Sequence, residues 1–255
     1  MTPIRALTVC VGYDDLLRVT LPHTLPHVEE LLVVTAPQDE KTREYAAGFD
    51  KVRVFATDAF YRDGAKFNKG LAVEEGFDFL GRRGWILVLD ADIVLPADAT
   101  VRMTPLSPGR LYTPPRRILE DAARWPEFSD HKTWDRLPGR KEDRGHYGYF
   151  QLFHASDQAL VRRPWYGTAW THAGRCDDEF QHRWPATAKL RPGFEVLHLG
   201  RCDENWFGRA SPRIDGGGTD PEATARKELQ EKLRRKHGWG RKKTGEVFDE
   251  RVNPQ

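Results

Sequence analysis

A chain of 255 residues with 31% charged side chains and a formal net charge of only +2 is long enough to bury a real core. Length and composition exclude a peptide or a repeat array, and so balanced a charge says nothing about partners, which leaves local clusters to do so. The three cysteines, Cys10, Cys176 and Cys202, are odd in number and far apart, which argues against a disulfide framework or a Cys-based zinc cluster and points to a reducing, cytoplasmic setting.

The segment Met1 to Leu7 lacks the length and cleavage pattern of a signal peptide, and no stretch approaches the ~18–20 apolar residues that cross a bilayer. Ala6 to Val11 reads as a first strand ending at Gly12, and Asp14 to Val19 opens a helix or turn. Strands follow at Leu31–Thr35 and Val52–Thr57, with a helix between them over Asp39–Phe49. Gly64 to Gly76 reads as a loop feeding a helix, which leads to the apolar run Trp85-Ile86-Leu87-Val88-Leu89. A run so continuous predicts a strand buried on both faces, so the first hundred residues imply an α/β fold with a mostly parallel sheet.

Pro105 to Gly145 carries six prolines among charges and reads as loop-rich. Gly148–Phe153 and Phe194–Leu199 are strand-like, with the acidic cluster Asp177-Asp178-Glu179 between them. Thr219-Asp220-Pro221-Glu222 starts a helix that ends near Gly238. From Pro221 to Gly245 nine Lys or Arg face three Glu, a basic tail. Domain limits are set at 1–210, with halves 1–104 and 105–210, followed by a basic helical extension over 211–255.

Asp90 and Asp92 leave the central strand one residue apart. Parallel sheets bind ligands beyond the carboxyl ends of their strands, and hard oxygen ligands there suit Mg²⁺ or Mn²⁺ beside a pyrophosphate. The plain alternative is a strand-to-loop turn with solvated carboxylates. Asp177-Asp178-Glu179 is either a catalytic cluster or an acidic helix start favoured by the helix dipole. His198 is either a metal ligand or a hydrogen-bonded core residue. Trp165, Tyr166, Trp170 and Trp206 offer flat faces, of which one or two are expected at a binding site and the rest in the core. The echo between Gly174-Arg175-Cys176-Asp177-Asp178 and Gly200-Arg201-Cys202-Asp203-Glu204 reads as coincidence, since the residues around them do not repeat.

Together these features resemble the GT-A fold glycosyltransferases, family-two-like and galactosyltransferase-like, over residues 4 to 208. The resemblance implies a single Rossmann-like α/β domain with a mixed, mostly parallel central sheet. It assigns Asp90-Ala91-Asp92 to a divalent metal and the diphosphate of a nucleotide sugar, with uridine the expected base. It places Val11, Gly12 and Tyr13 on the nucleoside, Asp58 on the base, and Lys66 and Lys69 near the pyrophosphate. It makes Asp178, or its neighbour Asp177, the base of an inverting transfer, and His198 a further metal ligand. The basic tail (Arg226, Lys227, Lys232, Arg234, Arg235, Lys236, Arg241, Lys242, Lys243) resembles phage enzymes that glycosylate 5-hydroxymethylpyrimidines in DNA. The plain alternative there is a solvated helix face, and a glycan, lipid-linked or protein acceptor stays open.

Two rival readings share part of this pattern. A haloacid-dehalogenase-like phosphohydrolase also uses an Asp-any-Asp motif, with Asp90 phosphorylated and Asp92 as acid and base, but on the first strand of its domain. A non-catalytic nucleic-acid-binding protein would leave the acidic site without a purpose.

Overall fold

A computed structural model describes residues 2–103, 105–137, 141–142, 148–202, 204–218 and 221–237. Its centre is a seven-stranded sheet. Four strands come from the first third of the chain: β1 (Ile4–Val9), β2 (Glu30–Thr35), β3 (Val52–Ala56) and β4 (Trp85–Leu89). They are joined by helices α1 (Asp14–Thr24), α2 (Glu40–Ala46) and α3 (Lys69–Leu80) and pair in parallel, in the order β3-β2-β1-β4. The β4 run is buried along its whole length, as its unbroken apolar sequence requires. Gly76 of α3 makes this packing possible, because a Cβ there would lie 2.7 Å from Leu7 and 2.8 Å from Val34.

Beyond β4 come β5 (Ile93–Val94), α4 (Ala99–Met103), β6 (Leu111–Tyr112), β7 (Arg116–Leu119), β8 (Lys141–Glu142), β9 (Phe150–His154), α5 (Cys176–Gln181), β10 (Lys189–Leu190), β11 (Val196–Leu199) and α6 (Ala223–His237). β9 pairs antiparallel with both β4 and β6, and β10 closes the sheet in parallel with β6. The α/β class with a mixed, mostly parallel central sheet is therefore what the chain adopts.

Two findings depart from the sequence reading. The stretch from Pro105 to Gly145, expected as loop, contributes β6, β7 and β8. Strands of two to four residues are too short to show a period. The Phe194–Leu199 run, shortened to β11, stands in a second sheet of order β5-β11-β7-β8. Thr219, Asp220 and the helix end at Gly238 lie outside the described residues, as do Arg241, Lys242 and Lys243.

The segment after β11 is bound to the start of α1. Arg209 forks onto the buried carboxylate of Asp15 and also donates to the Gly12 carbonyl at 2.7 Å. Arg213 forks onto Asp14 at 2.6 and 2.8 Å. Acidic residues in a first helical turn meet the positive end of the helix dipole, and here each also receives a guanidinium.

Arg209→Leu strands the Asp15 carboxylate in the interior, so a loss of about 3–5 kcal/mol is expected in urea unfolding. Hydrogen bonds from Arg213 hold the Asp14 carboxyl below its ordinary range. The stability this adds is complete above the ordinary carboxylate pKa and disappears as pH falls through the lowered value. Denaturation of Arg213→Leu across pH should show its deficit against the wild type at neutral pH and a closing gap in acid.

Candidate active site

The ends of β1 and β4 open into a cavity of about 380 Å³. Asp90 leaves β4 with its amide bonded to the Tyr149 carbonyl at 3.0 Å, and Thr20 of α1 donates to the Ala91 carbonyl at 2.8 Å. Because β5 follows Asp92 directly and pairs antiparallel with β11, His198 lies opposite Ile93. A bond from the Leu199 amide to the Asp92 carbonyl, 2.9 Å, completes this junction. The histidine that follows the carboxylate pair by more than a hundred residues is thus set beside it by strand register.

His198 Nε2 is 3.6 Å from Asp92 Oδ2, and its Nδ1 is 3.0 Å from the Gly200 carbonyl. A ring nitrogen facing a carbonyl is the one that carries hydrogen, which leaves Nε2 as the nitrogen turned toward Asp92 and available to a metal. The other carboxylate oxygen, Asp92 Oδ1, is buried without a hydrogen-bond partner. A ring nitrogen beside a carboxylate that keeps one buried oxygen unmet fits a cation.

Asp90 is differently placed. Lys69 Nζ reaches Asp90 Oδ1 at 2.7 Å and Asp177 Oδ2 at 3.1 Å, and the lysine is only 7% exposed. Burial opposes the ammonium charge, yet the two carboxylates outweigh it and hold the lysine well above its ordinary pKa. Burial pushes the Asp177 carboxyl up, against the pull of Lys69. Gly148 gives Asp177 its room, since a Cβ there would meet the carboxyl carbon at 2.0 Å. Among the described residues no three His, Cys, Asp or Glu side chains converge into a ready cage. Asp92 and His198, with Asp90 beside them, are the residues that could hold a metal, and they would leave part of its shell to other ligands.

The cavity wall includes Val11, Tyr13, Lys69, Asp90, Ala91, Asp92, Asp177, Asp178 and His198. Asp178 keeps 48% of its side-chain surface exposed and accepts a 2.8 Å bond from Gln181. Gly12, with φ +72°, lines an adjoining cavity of about 430 Å³ and donates to Asp39 Oδ2 at 2.7 Å. Asp58 and Lys66 are not brought to either cavity. Asp58 is exposed and paired with Arg62, and the Lys66 side chain is exposed while its amide bonds Thr171. Of the four aromatics singled out, Trp206 lines the cavity, whereas Trp165, Tyr166 and Trp170 are buried in the core.

Sequence reasoning missed several cavity residues. Arg116, at the start of β7, is buried with its guanidinium 4.4 Å from the Tyr149 ring centroid. Arg175 and Arg201 also line the wall. Single arginines in irregular stretches carry no periodic signal, but two of these three stand in the repeated Gly-Arg-Cys echo, which was the available clue.

No protein-family model matches the chain, and no curated protein matches it by sequence. Among solved structures it is similar to glucosyl-3-phosphoglycerate synthase from Mycobacterium tuberculosis in complex with phosphoglyceric acid. The identity is 15% and the TM-score 0.45, over 90% of this chain and 80% of that one. The complex of that enzyme with Mn²⁺, UDP and glucosyl-3-phosphoglycerate gives 14% and 0.43, over 78% and 70%. A 4-diphosphocytidyl-2C-methyl-D-erythritol synthase from Anaerococcus prevotii gives 14% and 0.38, over 60% and 70%.

Asp92→Asn is expected to weaken Mn²⁺ binding about tenfold or more, measured by titration calorimetry. Unchanged affinity would place the cation elsewhere.

Proposed function

We propose that this chain is a metal-dependent glycosyltransferase of GT-A-like organisation, moving a sugar from a nucleotide sugar to an acceptor hydroxyl with inversion. The reading is carried by one observation: Asp92 presents an unpartnered buried oxygen beside His198 Nε2, in one cavity with Asp178. When bound, Mn²⁺ or Mg²⁺ held by Asp92 and His198, with Asp90, would offset the charge that grows on the departing diphosphate.

The remaining steps belong to the chain itself. Val11, Gly12 and Tyr13, at the end of β1, are assigned to the nucleoside, with a uridine nucleotide as the expected donor. Lys69 is assigned to holding Asp90 and Asp177 apart and in place, in addition to lying near the pyrophosphate. Asp178, open to the cavity, takes the acceptor proton as the acceptor oxygen bonds to the anomeric carbon and the bond to the diphosphate breaks. A single displacement of this kind inverts the anomeric centre. Asp177 is the less suitable base because Lys69 already holds one of its oxygens.

The dehalogenase reading needs the motif on the first strand of its domain, and β1, β2 and β3 precede it in this sheet. The acceptor reading of 5-hydroxymethylpyrimidine in DNA rests, within the described residues, on the outer face of α6. Lys232, Arg235 and Lys236 are exposed there. Arg226 and Lys227 are turned to the Arg209 carbonyl and Glu204, and Arg234 lies over Trp206. No helix among the described residues is long and apolar enough to cross a membrane.

Incubation with a panel of nucleotide sugars and Mn²⁺, followed by mass spectrometry, should detect release of one nucleoside diphosphate. Asp178→Asn should lower transfer to an acceptor by about 100-fold or more while nucleotide binding persists. Transfer at the wild-type rate would move the base to another group.

A further inference from the structure

We propose that the acceptor is a small hydroxylated molecule carrying its own phosphate or carboxylate, bound by Arg175 and Arg201. The inference rests on the glycosyltransferase reading and names the substrate class of that site.

The two Gly-Arg-Cys segments come together in space. Residues Gly174, Arg175, Asp177 and Asp178 of the first and Arg201, Cys202 and Glu204 of the second line the same cavity. They are joined where the Ala173 amide donates to the Trp206 carbonyl at 2.9 Å, and Gly174 lets the Trp206 ring lie against the backbone, since a Cβ there would be 2.8 Å from it. The sequence echo is therefore a shared wall.

The cations of this wall are not equivalent. Lys69 is consumed between Asp90 and Asp177. Arg116 stands at the metal end, near enough to Asp92 to favour its ionised form. The Arg175 side chain makes no hydrogen bond or ion pair among the described residues. Its guanidinium lies 5.3 Å from the Trp170 ring centroid and its Nε is buried without a partner. Arg201 has Glu120 at 3.6 Å, with both side chains about two-thirds exposed, a contact of little worth. A guanidinium with unmet donors in a walled cavity is built for a planar or tetrahedral oxyanion. Asp178 and Glu204 on the same wall suit the acceptor's hydroxyl groups. At about 380 Å³ the cavity has the size of a small-ligand cleft.

Two measurements test this. Inorganic phosphate is titrated calorimetrically into protein saturated with UDP and Mn²⁺, and into protein without either. Binding by the wild type that weakens about tenfold or more in the Arg175→Gln, Arg201→Gln double variant is the expected result. Absent or equal binding in both proteins overturns the proposal whether or not UDP binds, whereas failure of UDP and Mn²⁺ to bind counts against the glycosyltransferase reading alone. Donor turnover is then measured with hydroxylated phosphates and carboxylates, each beside its neutral parent. Stimulation confined to the anionic members, with KM raised in the double variant and acceptor-independent donor hydrolysis held within about twofold, supports the assignment. Equal stimulation by the neutral parents, stimulation by hydroxymethylated DNA alone, or loss of UDP binding in the double variant overturns it.

Discussion

One buried ammonium sets the geometry of the cavity. Lys69 touches the carboxylate at the end of β4 and the carboxylate on the first turn of α5, residues 108 positions from it in the chain in the second case. None of these three charges is favourable in the interior by itself, and each is tolerable because of the others. The spacing between the strand end and the acidic cluster is therefore set by the reach of a single Nζ. The neighbourhood is built to keep it so. Asn68 caps α3 through the Leu71 amide and also donates to the Thr168 carbonyl, and glycine at 148 leaves the Asp177 carboxylate its place.

Around that bridge the cavity is divided by charge. At one end Asp92 and His198 face each other across 3.6 Å, with one carboxylate oxygen buried and unmet. At the other, an arginine keeps its donors free beside an open carboxylate. Polar groups held in readiness cost folding energy, and they recover it when charge arrives or develops in the site. The fold pays for this readiness through well-packed strands such as β4, and through Glu74, whose buried carboxylate is fully met by the Trp165 and Tyr166 amides and Arg82.

Much of the parallel half of the sheet was legible in the sequence. The unbroken Trp85–Leu89 run announced a doubly covered strand, and the two aspartates after it do line a cavity. What escaped was most of the ion pairing between remote residues. Lys69 read as a cation near a pyrophosphate, and nothing local reveals that Asp90 and Asp177 both hold it. Asp14 and Asp15 read as an ordinary helix start, since their guanidinium partners lie almost two hundred residues away. The short strands β6 and β7 had no period to detect, and with them went Arg116. The Gly-Arg-Cys echo was visible but lacked a flanking repeat, and only the folded chain shows that its two copies share a wall.

The clamp on α1 also joins two distant parts of the chain. Asp15 and Arg209 are 194 positions apart, and Arg209 reaches the Gly12 carbonyl as well. A carboxylate buried at the start of α1 and a guanidinium buried in the segment after β11 are each costly alone. The two segments can therefore be taken out of water only together, and the first helix shares the fate of a stretch almost two hundred residues away.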